Sequence, residues 1–228
     1  MLPGRTGAFF VLLLAVYPGL GPFTAHAETI RYVPIGDSYS ICEGVRTNDC
    51  WTVALTRQLT ESGLDIELAV NPSRTGWKVE DAIESELPAF AAARPGFATL
   101  LIGVNDWVQG SGRKKFTALL ETLLDRMLES LPDTHRLLVI TIPDFSCAPQ
   151  NPRYGYGRNI SRGISRYNKI IQRQAEKRGL PVVDLFPLSQ EFCNQPQMFV
   201  ADGIHPSAKQ YALWRDKIFP RALEILKK

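Results

Sequence analysis

The chain has 228 residues, 45% of them hydrophobic and 21% charged, with 17 Gly, 16 Pro and no low-complexity tract. That composition excludes a disordered tail and a collagen-like repeat and fits one globular domain. Its net charge of +3, from 26 basic and 23 acidic residues, is too small and too dispersed to mark a nucleic-acid binder.

Residues 1–27 read as a signal peptide. Arg5 supplies a positive start, Ala8 to Tyr17 is an unbroken apolar run, and Pro18, Gly19, Gly21 and Pro22 end it. Ala25-His26-Ala27 forms an A-x-A cleavage signature that places the mature start at Glu28. A bilayer span needs about 20 apolar residues, so the run is too short to cross. The expected protein is therefore exported, periplasmic or secreted, with its folded domain at 28–228.

The mature domain alternates short apolar runs with amphipathic stretches of helical length. Ile30 to Ile35 reads as a strand and Trp51 to Ser62 as a helix. The series continues with a strand Asp65 to Val70, a helix Val79 to Ala92, a strand Ala98 to Ile102 and a helix Lys114 to Ser130. It ends with a strand Arg136 to Ile142, a helix Ile160 to Arg178, a strand Pro181 to Leu185 and a helix Ser207 to Leu226. Five strand-then-helix repeats predict a parallel sheet covered on both faces, with continuous Val/Ile/Leu strands buried on both sides. Ligands of such sheets bind beyond the carboxyl ends of the strands.

The segments that follow the strands carry the polar chemistry. They are Gly36-Asp37-Ser38-Tyr39-Ser40, Asn71 to Trp77, Gly103-Val104-Asn105-Asp106-Trp107 and, before the last helix, Asp202-Gly203-Ile204-His205-Pro206. Ser38, at a strand-to-helix transition, can present its hydroxyl to a cleft, but it needs a base to become a nucleophile. His205 can be that base, and Asp202 three residues earlier can orient its ring. The Ser38 N–H, the Gly76 N–H and the Asn105 amide can stabilise a developing oxyanion. Asp37 and Asp106 read as structural. No G-x-S-x-G elbow and no G-x-G-x-x-G loop is present, which disfavours an α/β-hydrolase and a dinucleotide site.

These four segments, in this order, resemble the GDSL/SGNH hydrolase family of esterases and lipases. The family's Ser, Gly, Asn and His correspond to Ser38, Gly76, Asn105 and His205, with Tyr39 standing where the name-giving Leu would be. The resemblance implies a three-layer α/β/α flavodoxin-like fold, no metal and no cofactor. It implies a serine esterase acting through an acyl-enzyme on small-molecule esters, of arylesterase, lysophospholipase or thioesterase type. Two alternatives use the same cleft: a sugar O-acyltransferase or deacetylase on an envelope polymer, and a non-catalytic binding module.

Other features are secondary. In an exported chain, Cys42, Cys50, Cys147 and Cys193 favour two disulfides, and Cys42–Cys50 with Cys147–Cys193 is the preferred of three pairings. The spacings and the count of three His argue against a zinc site. Trp77 and Trp107 are candidates for the acyl-pocket wall, with a core role equally open. His135 precedes a strand and belongs on the face opposite the site. Arg162, Arg166, Lys169, Arg173 and Lys177 form a helical stripe that reads as a solvated face, with an anionic surface as the functional alternative. The Pro143 to Gly157 loop is expected to border the pocket, and a Cys147–Cys193 bridge would pin it.

Overall fold

A computed structural model describes Met1, Gly4 and residues 28–228; apart from Met1 and Gly4, the expected leader with its A-x-A signature lies outside the described residues. In chain order the elements begin with β1 (Ile30–Gly36), α1 (Ser38–Ile41), α2 (Trp51–Glu61) and β2 (Ile66–Leu68). Next come α3 (Val79–Asp81), a π-helical turn (Ala82–Glu86), α4 (Leu87–Ala92), β3 (Phe97–Leu101), α5 (Val104–Val108) and α6 (Arg113–Glu129). The remainder are β4 (Leu137–Ile140), α7 (Asn151–Gly155), α8 (Ile160–Glu176), β5 (Val182–Val183), α9 (Phe186–Gln190) and α10 (Ala208–Leu226).

The five strands are all parallel, in the order β2-β1-β3-β4-β5. Every residue of β3 and β4 is buried, as apolar strands covered on both faces must be. Helices α2 and α10 pack together on one side, while α4, α6 and α8 form the other layer. This is the expected three-layer α/β/α architecture. Strand order reverses at β1, which has β2 on one side and β3 on the other. The crevice between the carboxyl ends of β1 and β3 is therefore the topological switch point, where open α/β sheets bind ligands.

The edge strands are shorter than their sequence patterns: β2 keeps three residues and β5 two. Apolar residues continue past the last ladder hydrogen bond, and short edges also resist edge-to-edge pairing. Four helices of four or five residues, α1, α5, α7 and α9, are too short to leave a periodic signal. The helix expected at Val79 to Ala92 is present but interrupted by its π-helical turn.

Two disulfides join Cys42 to Cys50 and Cys147 to Cys193, with Cα–Cα distances of 5.3 and 4.8 Å. Among the described residues no helix is long and apolar enough to cross a membrane.

Candidate active site

The segment that carries Ser38 is set by close packing at the end of β1. Gly36 pairs with Leu101 of β3, and a Cβ at Gly36 would collide with Ser40 Oγ and the Leu101 carbonyl. Only glycine lets the strand end this tightly. Asp37 then caps α1, its Oδ1 accepting the Tyr39 N–H at 3.0 Å. Ser38 becomes the first helical residue and faces a cavity of about 160 Å³. That cavity is lined by Ser38, Tyr39, Thr75, Gly76, Val104, Asn105, Val108, Phe145, Tyr154, Ile204 and His205. Ser38, Gly76, Asn105 and His205, far apart in sequence, therefore meet in one cleft.

His205 is held by a turn built on Asp202. The Asp202 Oδ1 accepts the N–H groups of Ile204 at 2.8 Å and His205 at 3.0 Å. Its Oδ2 lies 2.6 Å from His205 Nδ1, leaving Nε2 for the cleft. Partial burial raises the Asp202 carboxyl, but the hydrogen bonds from the His205 ring and the two N–H groups outweigh it and hold the carboxyl below its ordinary range. An ionised Asp202 selects the tautomer with its proton on Nδ1, so that Nε2 is a free base. The Ser38–His205 hydrogen bond is not closed among the described residues; bonds of this kind often tighten only in the substrate complex.

Three donors converge on the cleft. The N–H groups of Ser38 and Gly76 have no acceptor among the described residues. Gly76 sits at φ +82°, in the left-handed region that favours glycine. Asn105 projects from the start of α5, whose N-cap Gly103 has φ +117°. One Asn105 amide hydrogen goes to the Trp77 carbonyl at 3.0 Å; the other has only a long 3.4 Å contact with Asp37 Oδ2 and can turn toward an oxyanion.

Three buried carboxyls support this rim. Glu86, in the π-helical turn, accepts the Gly36 N–H at 3.0 Å and the Ser73 hydroxyl at 3.2 Å through the same Oε2. It thereby ties the end of β1 to the loop that carries Gly76. Asp106 accepts the Val79 N–H at 3.0 Å and anchors the start of α3. Burial pushes the three carboxyls up, Asp37 to about 7, Glu86 to about 8 and Asp106 to about 6. Asp37 and Asp106 each accept a backbone N–H, from Tyr39 and Val79. Glu86 was missed, because nothing in a helical pattern marks one glutamate as buried.

Of the two readings left open for the tryptophans, the core role fits Trp107, and neither Trp77 nor Trp107 lines the cavity. Trp107 turns away into the α5–α8 contact, against Gly163, with its ring edge-on to Phe145 and stacked under the Arg158 guanidinium at 4.1 Å. Trp77 is half-buried with Arg74 over its ring at 5.6 Å. The apolar wall is instead Val104, Val108, Phe145 and Ile204, with Tyr154 at the mouth. Phe145 and Tyr154 come from the Pro143 to Gly157 loop, which does border the pocket. The same loop touches the Asp202 turn, since Gln150 N–H donates to the Gly203 carbonyl at 2.9 Å. His135 lies at the amino end of β4, beside a different cavity. Among the described residues no group of three or more His, Cys, Asp or Glu side chains is arranged to hold a metal.

Comparison with known proteins agrees with this architecture. The chain is 26% identical over 217 residues to Esterase TesA of Pseudomonas aeruginosa, covering 94% of this chain and 98% of that protein. Its fold superposes on the lipase/acylhydrolase from Enterococcus faecalis with a TM-score of 0.70 at 20% identity, covering 86% of this chain and 96% of that one. It also superposes on Axe2, an acetylxylan esterase from Geobacillus stearothermophilus, with a TM-score of 0.67 at 18% identity, covering 85% and 94%. Residues 35–213, from the end of β1 into α10, match the model of the GDSL-like lipase/acylhydrolase family. The chain is therefore an enzyme of the GDSL-like lipase/acylhydrolase family.

Proposed function

We propose that the protein is an exported serine esterase that cleaves small esters through an acyl-enzyme on Ser38. The observation that carries this reading is the 2.6 Å contact of His205 Nδ1 with Asp202, on a histidine that shares its cleft with Ser38. Ser38 Oγ attacks the ester carbonyl as His205 Nε2 takes its proton. The Ser38 and Gly76 N–H groups and the Asn105 amide receive the oxyanion. The tetrahedral intermediate collapses, its leaving alkoxide takes the proton from His205, and the acyl group stays on Ser38. Water, deprotonated by His205, then attacks the acyl-enzyme and releases the acid and the free serine.

The cavity favours a short acyl group. At about 160 Å³ it falls well below the ~300–1,000 Å³ of typical ligand pockets. Acetyl and other short acyl esters fit this reading better than long fatty acyl chains. An acetyl group carried by a sugar is the second reading that the small pocket favours. Two disulfides support residence outside the reducing cytosol.

A chain-length series of nitrophenyl esters, together with an acetylated sugar oligomer, tests the assignment. The expected result is kcat/KM falling as the acyl chain lengthens, no turnover in Ser38→Ala, and an organophosphonate adduct on Ser38 by mass spectrometry. An adduct elsewhere, or undiminished turnover in Ser38→Ala, refutes it.

A further inference from the structure

A second cavity, of about 240 Å³, borders a different face of α5 from the catalytic cleft. Val108 of α5 lines the catalytic cleft, while the neighbouring Trp107 lines the second cavity. Its wall comprises Gly110, Ser111, Gly112 and Arg113, which lead into α6, and Arg158, Gly163, Arg166 and Tyr167 around α8. Three guanidinium groups therefore line one small concavity, and no carboxylate does.

Those cations are poorly compensated. Arg113 and Arg166 enter no ion pair among the described residues. Arg158 donates to the carbonyls of Trp107 and Val108, each at 2.8 Å, and to that of Gly155 at 3.1 Å. A guanidinium has five N–H donors, so two remain. Stacking on Trp107 fixes the plane of the group.

The start of α6 also runs against ordinary helix electrostatics. A helix N-terminus is a positive pole that favours acidic residues in its first turn. Here Gly112 is the N-cap with no side-chain cap, and the first turn holds no acid but begins Arg113-Lys114-Lys115. Lys115 is neutralised by Glu80 at 2.8 Å. Arg113 has no such partner and lines the same cavity as Arg158 and Arg166. Local rules of this kind are broken chiefly at functional or strained sites.

We infer that the cavity formed by Arg113, Arg158 and Arg166 on the floor of Trp107 is a binding site for a phosphate-class oxyanion. An anion there supplies the missing acceptor for three planar donors, which match phosphate geometry. It also supplies the missing negative charge at the start of α6. The same chemistry can come from free phosphate or from a phosphate group carried by the ester substrate. The second source rests on the esterase reading; the first does not.

Isothermal titration of the intact protein with inorganic phosphate, at constant ionic strength and against chloride, tests binding without reference to turnover. Saturable binding is expected, weakened about tenfold or more in Arg113→Gln/Arg166→Gln, because each lost contact is a charge-assisted hydrogen bond. Both side chains are exposed, and circular dichroism verifies that the variant is folded. Phosphate binding no tighter than chloride, or equal in the variant and the parent, overturns the proposal. Kinetics then separate the sources. A substrate-borne phosphate predicts that kcat/KM for a phosphate-bearing ester, relative to its neutral analogue, falls about tenfold in the variant. Weakened phosphate binding with an unchanged ratio assigns the site to the free anion.

Discussion

Replacing Glu86 by Gln should flatten the dependence of stability on pH while keeping the site assembled. Glu86 is fully buried, and burial carries its carboxyl from an ordinary 4.5 to about 8, with the Gly36 N–H and Ser73 hydroxyl pulling the other way and Asp37 adding to the rise. Between those two values the folded protein holds a proton that the unfolded chain has released. The unfolded state then binds fewer protons, so stability falls as pH rises through this window. At 1.36 kcal/mol per pH unit, the loss attributable to Glu86 is about 5 kcal/mol once the pH passes 8. Gln does not ionise, and its carbonyl oxygen can still accept from Gly36 and Ser73. Urea unfolding of parent and variant at pH 5 to 9 is the assay. The difference between them should move toward the variant by several kcal/mol across the series. Glu86→Ala is the contrasting case: it orphans a buried N–H and a buried hydroxyl, each costing about 1–3 kcal/mol at any pH. A difference between parent and Glu86→Gln that stays constant with pH would refute the reasoning, as would a Gln variant no more stable than the Ala variant at pH 6.

Other expected outcomes follow from the same geometry. Asn105→Ala should lower kcat about 10²–10³-fold with little change in KM, measured on a short nitrophenyl ester, because the lost donor acts on the oxyanion. Asp202→Asn should lower kcat by up to about 10⁴-fold at pH 7, since an amide cannot hold the His205 tautomer as the 2.6 Å carboxylate does. The Asp202 carboxyl sits below its ordinary range, so its support for the turn is present at neutral pH and is lost only as the pH falls through that depressed value. Replacing Cys147 and Cys193 together by Ser should destabilise the protein by up to about 4 kcal/mol on the chain-entropy model, for a separation of 46 residues. The same pair of changes should reduce turnover, because the pinned loop bonds Gly203 through Gln150. Unchanged turnover after loss of the bridge would detach the loop from the acid–base turn.

The parts of this protein legible in its sequence are those where one local rule suffices. A strand buried on both faces must be apolar throughout, so β1, β3 and β4 announced themselves, and their alternation with amphipathic helices gave a parallel sheet. Once the strands were placed, the switch-point rule brought Ser38, Gly76, Asn105 and His205 to one rim from segments spread over most of the chain. The parts that escaped depend on which way a side chain turns. Trp77 and Trp107 lie close after the proposed oxyanion donors Gly76 and Asn105, yet residues next to one another on a helix or turn face different directions. Trp107 therefore enters the α5–α8 contact, where Gly163 makes room for it, and the adjacent Val108 lines the cleft that holds Ser38 and His205. Glu86 was invisible for a related reason. A glutamate in a helical pattern is assigned to solvent, and the π-helical turn that holds this one against Gly36 and Ser73 alters the helical period locally. The cationic cavity combines both cases. Arg113 and Arg166 look like ordinary surface charge on two separate helices, and only the packing of α8 against α5 and α6 brings them to one cavity with Trp107. Sequence periodicity thus assigns faces to core or solvent, while the chemistry of a shared concavity arises from the element that each face meets.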